Sequence, residues 1–345
     1  MADLQTAQPG RAGLDSTLAL LRRDIPGKVP GLLVVLVLLL AGFGIAVPGF
    51  LSAGTFQSMM FQLPQLGLLA MAMAVPMISG GLNLAIIATA NACGLVMVVV
   101  MRALIPAAAS GSVLAVGIVA ALAAGLAVGV AIGGITGLLI ARTGVHPILI
   151  TLGVQSMVEG TSILLTRGKV VAGMQPSYGA FGNSLVLGVP VTFLGLVAVA
   201  VVVGIILKRT PFGIALAMTG SNPEATRYSS IDIRRVLVKV YALSGVLCFL
   251  AACLMLARFN SASAAYAKSY LLVTVLAAVL GGVDPFGGFG KIGGIMLALA
   301  VLQVISSGCN LLGFSDYLTL GIWGLTLIAV MVIQSVARRR AAIGR

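Results

Sequence analysis

The sequence predicts an all-α polytopic membrane protein: about ten transmembrane helices in one bundle, with both termini in the cytoplasm. Three observations carry this. Of the 345 residues, 60% are hydrophobic and only 8% charged, whereas a soluble domain carries roughly 25% charged residues. Apolar runs long enough to cross a bilayer recur along almost the whole chain. The basic residues cluster between alternate runs, as they do when one side of a membrane retains positive charge.

A span needs about 20 apolar residues. On that basis the candidate helices are 30–50, 57–78, 83–101, 113–141, 146–166, 190–207, 238–257, 270–283, 292–309 and 317–336, of which 270–283 is short. With the N-terminus inside, the inner segments hold Arg11, Arg22, Arg23, Lys28, Arg142, Lys208, Arg209, Arg227, Arg234, Arg235, Lys239, Lys291 and the tail arginines Arg338, Arg339, Arg340 and Arg345. Those are 16 of the 21 basic residues; Arg102, Arg167, Lys169, Arg258 and Lys268 fall outside. An odd number of spans would place a terminal basic cluster outside. The net charge of +13 therefore reads as membrane orientation and not as nucleic-acid binding. The expected organisation is a cytoplasmic segment 1–28, a membrane domain 29–337 with a cytoplasmic loop 208–239, and a basic tail 338–345.

Some functions are excluded early. Cys93, Cys248, Cys253 and Cys309 lie in apolar runs without C-x-x-C spacing, and His146 is the single histidine, so neither redox nor metal chemistry is expected. His146 has no evident acid or nucleophile partner, which leaves no enzyme constellation. About thirty polar and basic residues precede the first apolar run, so that run is expected to stay as an anchor.

Within the fourth run, Gly125, Gly129, Gly133 and Gly137 repeat every four residues, with Ala121 and Ala141 extending the stripe. Such a face lets a neighbouring backbone approach closely, and the helix is expected to be buried in the bundle. A broken helix is expected around Gly80-Gly81.

The long inner loop contains a helix start. Ser221 or Asn222 can serve as N-cap, Pro223 suits the first helical position, and Glu224 favours the positive end of the helix dipole. A short capped helix between spans has nothing to bury in lipid and is suited to dock on a soluble partner.

Here the chain resembles a known family. Gly213-x-x-x-Ala217-x-x-Gly220-x-Asn222-x-x-Ala225-x-x-x-Ser229-x-Ile231 looks like the cytoplasmic loop of the ribose-type sugar ABC permeases. Leu280-Gly281-Gly282, then Gly287-Gly288-x-Gly290-Lys291 and Gly293-Gly294, resembles their second glycine-rich signature, and Asn310-Leu311-Leu312-Gly313 before a last span fits as well. The likeness covers about 208–340. The N-terminal half departs from it: where the family carries Gly-Gly-Ile-Asp-Leu-Ser-Val-Gly, this chain has Gly80-Gly81-Leu82-Asn83-Leu84-Ala85-Ile86-Ile87, with neutral Asn83 for the acid.

The resemblance implies a permease subunit of an ATP-driven importer in the bacterial inner membrane, moving a monosaccharide or related polyol, or else a nucleoside or furanosyl signal molecule. It implies a second permease subunit, identical or different, a cytoplasmic ABC ATPase that binds ATP and Mg, and a periplasmic substrate-binding protein received on the outer loop 167–189. The coupling residues would be Gly220, Asn222, Glu224, Ala225 and Arg227, with Glu224 and Arg227 as polar contacts and Ala225 allowing close approach.

An energy source within the chain would carry its own motif. A phosphate-binding loop needs Gly five residues before its Gly-Lys pair and Ser or Thr after it. At Gly290-Lys291 those places hold Pro285 and Ile292, so a tight turn is expected and no ATP site or other cofactor in this chain. An ion-coupled carrier needs ionisable groups within the membrane. The predicted spans hold one acid, Glu159, which either serves coupling or is neutralised by nearby Arg167 and Lys169.

Neutral polar residues suit a sugar path, since they can replace water yet release the solute. Three stripes have helical spacing: Gln303, Ser306, Ser307 and Asn310; Thr151, Gln155 and Glu159; and Asn83 with Asn91, next to Gln62 and Gln65 on the preceding helix. Each can equally bridge helices. The path candidates are Asn83, Asn91, Gln155, Glu159, Gln303 and Asn310, with Gln155, Glu159 and Gln303 as the central triad.

Overall fold

The computed structural model describes residues 29–106, 111–172, 176–315, 317–328 and 332. The expected segment 1–28, the end of the tenth candidate span and the tail 338–345 lie outside these residues.

Each of the ten apolar segments coincides with a helix. They are α1 (Val29–Ala46), α2 (Ala53–Ile78), α3 (Ile86–Leu104), α4 (Ser112–Thr143), α5 (Pro147–Thr166), α7 (Val191–Arg209), α10 (Ile233–Phe259), α11 (Tyr270–Leu280), α12 (Ile292–Leu311) and α13 (Tyr317–Ile328). Seven of these are long and apolar enough to cross a membrane; α1, α11 and α13 are shorter. The molecule is an all-α polytopic membrane protein of one bundle.

The centre of the bundle is α2, packed by α10, α11, α7 and α12. Every residue of α2 from Pro64 to Ile78 is buried, the signature of a helix surrounded on all sides. Its end is set by Ser79, whose Oγ donates to the Pro76 carbonyl at 2.7 Å. The chain then turns through Gly80, at φ +85, and restarts as α3 at Ile86. The expected break at Gly80-Gly81 is therefore present.

The glycine stripe on α4 works as its spacing implies. Gly129, Gly133 and Gly137 face α10, where a Cβ at Gly129 would lie 2.6 Å from the Gly245 carbonyl and one at Gly137 2.8 Å from the Val238 Cα, while Gly125 lies against Met97 of α3 and Phe249 of α10. Gly117 extends the stripe one turn earlier than expected, against Ile105. The expectation that the whole helix is buried is corrected: only this stripe, with Ala121, Thr136 and Ile140, is enclosed. Val113, Val116, Val119, Val130 and Ile135 are exposed and match a lipid-facing surface.

Two regions expected as loops are folded. In the stretch 167–189, β1 (Val171–Ala172) pairs antiparallel with β4 (Ser261–Ala262), and β2 (Leu185–Val186) with β3 (Val189–Pro190). Leu187 and Gly188 both have positive φ in the two-residue turn between β2 and β3, as a tight hairpin requires. Between the pairs, α6 (Pro176–Asn183) lies on α10. Tyr178 Oη donates to the Cys253 carbonyl at 3.2 Å, and burial raises its phenol above the ordinary range, keeping it a neutral donor.

The segment 208–239 holds two short helices where one was expected: α8 (Pro211–Ser221) and α9 (Pro223–Tyr228). The next helix, α10, begins at Ile233 and not at 238, because Asp232 Oδ1 caps it by accepting the amides of Arg234 and Arg235 at 3.0 and 3.2 Å.

Candidate functional site

The glycine-rich turns meet on one face of the bundle, here termed the loop face. Gly220 at the end of α8 lies against the Ile78 carbonyl and the Gly288 amide, so that a side chain there would collide with backbone on both sides. Gly288 N donates to Ile78 O at 2.7 Å. Gly287 adopts φ +95, and a Cβ on it would be 2.7 Å from Gly80 N. The two signature stretches of the sequence and the Gly80 turn thus form one close-packed junction of backbone. It ties α8 directly to the end of the central helix α2 and to the α11–α12 turn.

From this junction α9 projects outward. Asn222, not Ser221, is its cap: Oδ1 accepts the Ala225 amide at 3.0 Å. Thr226 is the buried residue of α9, and its Oγ1 donates back to Asn222 O at 2.8 Å. Glu224, Ala225 and Arg227 are exposed, and so is Tyr228, at 91%. Tyr228 was not singled out from sequence. An exposed tyrosine at the tip of a short, capped helix is the residue type that anchors protein interfaces. The second missed element, α8, did carry a signal. Thr210-Pro211 repeats the cap-then-proline pattern of Asn222-Pro223, and Thr210 Oγ1 accepts the Gly213 amide at 3.3 Å.

The polar stripes separate into different places. Asn83 is 3% exposed; its Nδ2 donates to Ser244 Oγ at 2.9 Å and its Oδ1 accepts the Ala85 amide at 3.1 Å. Ser244 Oγ in turn donates to Ala72 O at 2.7 Å, so the Gly80–Ala85 turn is fastened to α10 and α2. Asn91 Nδ2 donates to the carbonyls of Ala264 and Tyr266 at 3.0 and 2.9 Å, fastening α3 to the α10–α11 connection. On α12, Gln303 Nε2 donates to Gln62 Oε1 at 3.1 Å and to Ser307 Oγ at 3.3 Å. Gln65 Nε2 donates to Tyr270 Oη at 3.2 Å. Asn310 is exposed at the far end of α12.

On α5, Thr151 Oγ1 lies 3.2 Å from Leu82 O, to which it donates, while Gln155 Oε1 is buried without a hydrogen-bond partner. Such an orphan acceptor costs about 1–3 kcal/mol. Glu159 pairs with Lys268 Nζ at 2.5 Å. Its partner is thus Lys268, from the α10–α11 connection, and not the expected Arg167 or Lys169. The triad Gln155, Glu159 and Gln303 is not brought together: α5 packs on α3 and α4, and α12 on α1, α2, α7 and α11.

Comparison with known proteins identifies the family. The family described as branched-chain amino acid transport system / permease component matches residues 55–331. The ribose import permease protein RbsC of Bacillus subtilis is 30% identical over 311 residues, covering 89% of this chain and 92% of that protein. The autoinducer 2 import system permease protein LsrD of Photorhabdus temperata is 29% identical, covering 90% of this chain and 91% of its own. LsrD of Yersinia enterocolitica is 28% identical over 80% of this chain and 82% of its own. No solved structure matches. With a family match over most of its length, and a junction built from the very glycines that carry the resemblance, the chain belongs to the permease components of ABC import systems, in the ribose-type sugar branch.

Proposed function

We propose that this chain is the membrane subunit of an ATP-driven importer for a monosaccharide or a related furanosyl molecule, and that α9 is where the motor pushes. The observation that carries this is the exposed, capped α9 held by the Gly220 junction on the end of α2. A cytoplasmic ABC ATPase, binding ATP and Mg, would dock on Glu224, Ala225, Arg227 and Tyr228, with Asn222 setting the helix start. Movement of α9 would pass through Gly220 to Ile78 and Gly288 as a rigid-body shift, since backbone in contact with backbone leaves no soft side chain to absorb it. The loop face would be cytoplasmic, with ten spans and both termini on that side. The opposite face, with α6 and the two short strand pairs, would receive a periplasmic binding protein, and a second permease subunit would complete the path.

Gln155 supports a path along α5, because a transient solute hydroxyl could satisfy its orphan oxygen. Asn310 remains a path candidate at the end of α12, and Asn83, Asn91 and Gln303 would act by holding the walls of the path. The furanosyl alternative draws on the relatives that import autoinducer 2. Uptake of labelled ribose against labelled autoinducer 2 by cells expressing the complete system separates the two.

The docking claim is tested by purifying the tagged chain from its own host in mild detergent and identifying retained proteins by mass spectrometry. An ABC ATPase should be retained by the native chain and lost on Ala225→Glu, with the thermal melt of the chain unchanged. Retention by the Ala225→Glu variant would sink the assignment of α9.

A further inference from the structure

We propose that a cleft on the loop face, beside α9, is a binding site for an organic phosphate, gripped at its mouth by Arg142 and Arg234 and met at its floor by the Tyr241 hydroxyl. The cleft has a volume of about 840 Å³ and lies between the Ser79–Gly81 turn, the α4–α5 connection and the start of α10.

Its charge is one-sided. Arg142, Arg227 and Arg234 line it, against a single carboxylate, Asp232. That carboxylate is already engaged, by Arg235 Nε at 3.0 Å and by the α10 amides it caps. Among the described residues, no acid pairs with Arg142, Arg227 or Arg234. The 20-residue helix α5 also starts at the wall, at Pro147; its Ile148 amide is taken by His146 Nδ1 at 3.4 Å, so what it adds is the positive end of a helix dipole. Guanidinium groups are the side chains best matched to phosphate oxygens, through paired charge-assisted hydrogen bonds.

The floor supplies an independent indication. Tyr241 is 0% exposed, lines the cleft, and its Oη has no hydrogen-bond partner. Buried hydroxyls almost always have a partner. Gly81, which also lines the cleft, sits over this one so closely that a Cβ would fall 2.5 Å from Tyr241 Oη. An orphan hydroxyl under a basic mouth fits a ligand with an anionic end and a polar body. The volume points the same way, because a site of this size is in the range of small organic ligands, about 300–1,000 Å³, and far exceeds a bare phosphate ion. Either a soluble phosphorylated polyol or a phospholipid headgroup from the inner leaflet has this chemistry. The inference stands apart from the coupling role of α9, because it is read as binding to the lone chain.

The full-length chain, purified in detergent or placed in nanodiscs, is titrated with ribose 5-phosphate, ribose, inorganic phosphate, and phosphatidylglycerol against phosphatidylcholine discs. Binding is followed by calorimetry and by the shift of the thermal melt. Saturable binding of ribose 5-phosphate, or stabilisation by phosphatidylglycerol discs alone, supports the site and tells the soluble source from the lipid one. Arg142→Gln combined with Arg234→Gln should then weaken binding at least about tenfold. Tyr241→Phe should weaken binding severalfold while leaving the ligand-free melt unchanged or raised, since it deletes an unsatisfied hydroxyl; that readout separates a binding hydroxyl from a structural one. No saturable binding of any organic phosphate, equal binding of ribose or of inorganic phosphate, or binding indifferent to both variants would overturn the proposal.

Discussion

The amide of Gly288 donates to the carbonyl of Ile78 at 2.7 Å, across 210 residues of chain. Gly220 is wedged against both groups. Three turns that are remote in sequence thus share one backbone junction, and no side chain intervenes to cushion it. The consequence is mechanical: a displacement of α8 and α9 must be felt at the end of α2, the most enclosed helix of the bundle.

Gly220→Ala should be severely disabling although it adds a single methyl group. The new carbon would press on the Ile78 carbonyl and the Gly288 amide, and neither can rotate away. Overpacking of this kind costs about 1–3 kcal/mol. The expected outcome is a lowered melting temperature in detergent together with lost uptake. Full stability and full uptake in this variant would show that the junction is looser than its geometry implies.

The α4 stripe provides an internal control. Gly129→Val should separate α4 from α10, because its Cβ meets the Gly245 carbonyl at 2.6 Å, whereas Gly134→Val faces open space with nothing within 4 Å. A clear loss of thermal stability is expected for the first, and a change within about 0.5 kcal/mol for the second, as for a surface position. Parallel thermal melts in detergent decide it; equal losses would contradict the packing.

The surroundings of Asn83 suit an amide. Introducing an acid with Asn83→Asp removes the donor to Ser244 Oγ, whose own proton is committed to Ala72 O at 2.7 Å. Oxygen would then face oxygen inside a buried turn, at a cost of about 1–3 kcal/mol. The double variant Asn83→Asp with Ser244→Ala should recover part of the loss. An Asn83→Asp protein as stable as the parent would show that the turn rearranges freely.

Glu159 is expected to be dispensable for transport. Its ion pair with Lys268 is partly solvated, at 23% and 54% side-chain exposure, and pairs of that kind contribute about 0–1 kcal/mol. Glu159→Gln should keep uptake within about twofold of the parent at every pH from 6 to 8, as expected for a weak exposed pair. Abolished uptake would return the acid to a coupling role.

Much of the architecture was legible because lipid imposes a simple rule. A helix crossing a membrane must satisfy its own backbone and present apolar side chains, so hydropathy alone located the ten apolar helices, seven of which are long enough to cross. Local chemistry was legible too: the helix start at Pro223, with Ser221 or Asn222 as its cap, and the four-residue period of the α4 glycines are written within a few neighbouring residues. Hydropathy does not register shorter-range signals, such as the Asp232 cap that lengthens α10 and the Thr210-Pro211 start of α8.

What the sequence by itself determined is therefore the class, the ten apolar helices and the family, each set by composition or by neighbours along the chain. Only the tertiary structure decided partnership: that Glu159 meets Lys268, that Gln303 meets Gln62 and not the α5 residues, that α4 hides one stripe and bares the rest, and that Tyr241 ends beneath an arginine-rimmed cleft. The physical reason is that hydropathy and helical period describe one segment at a time. A buried amide, hydroxyl or acid acquires its meaning from whichever distant segment packs against it.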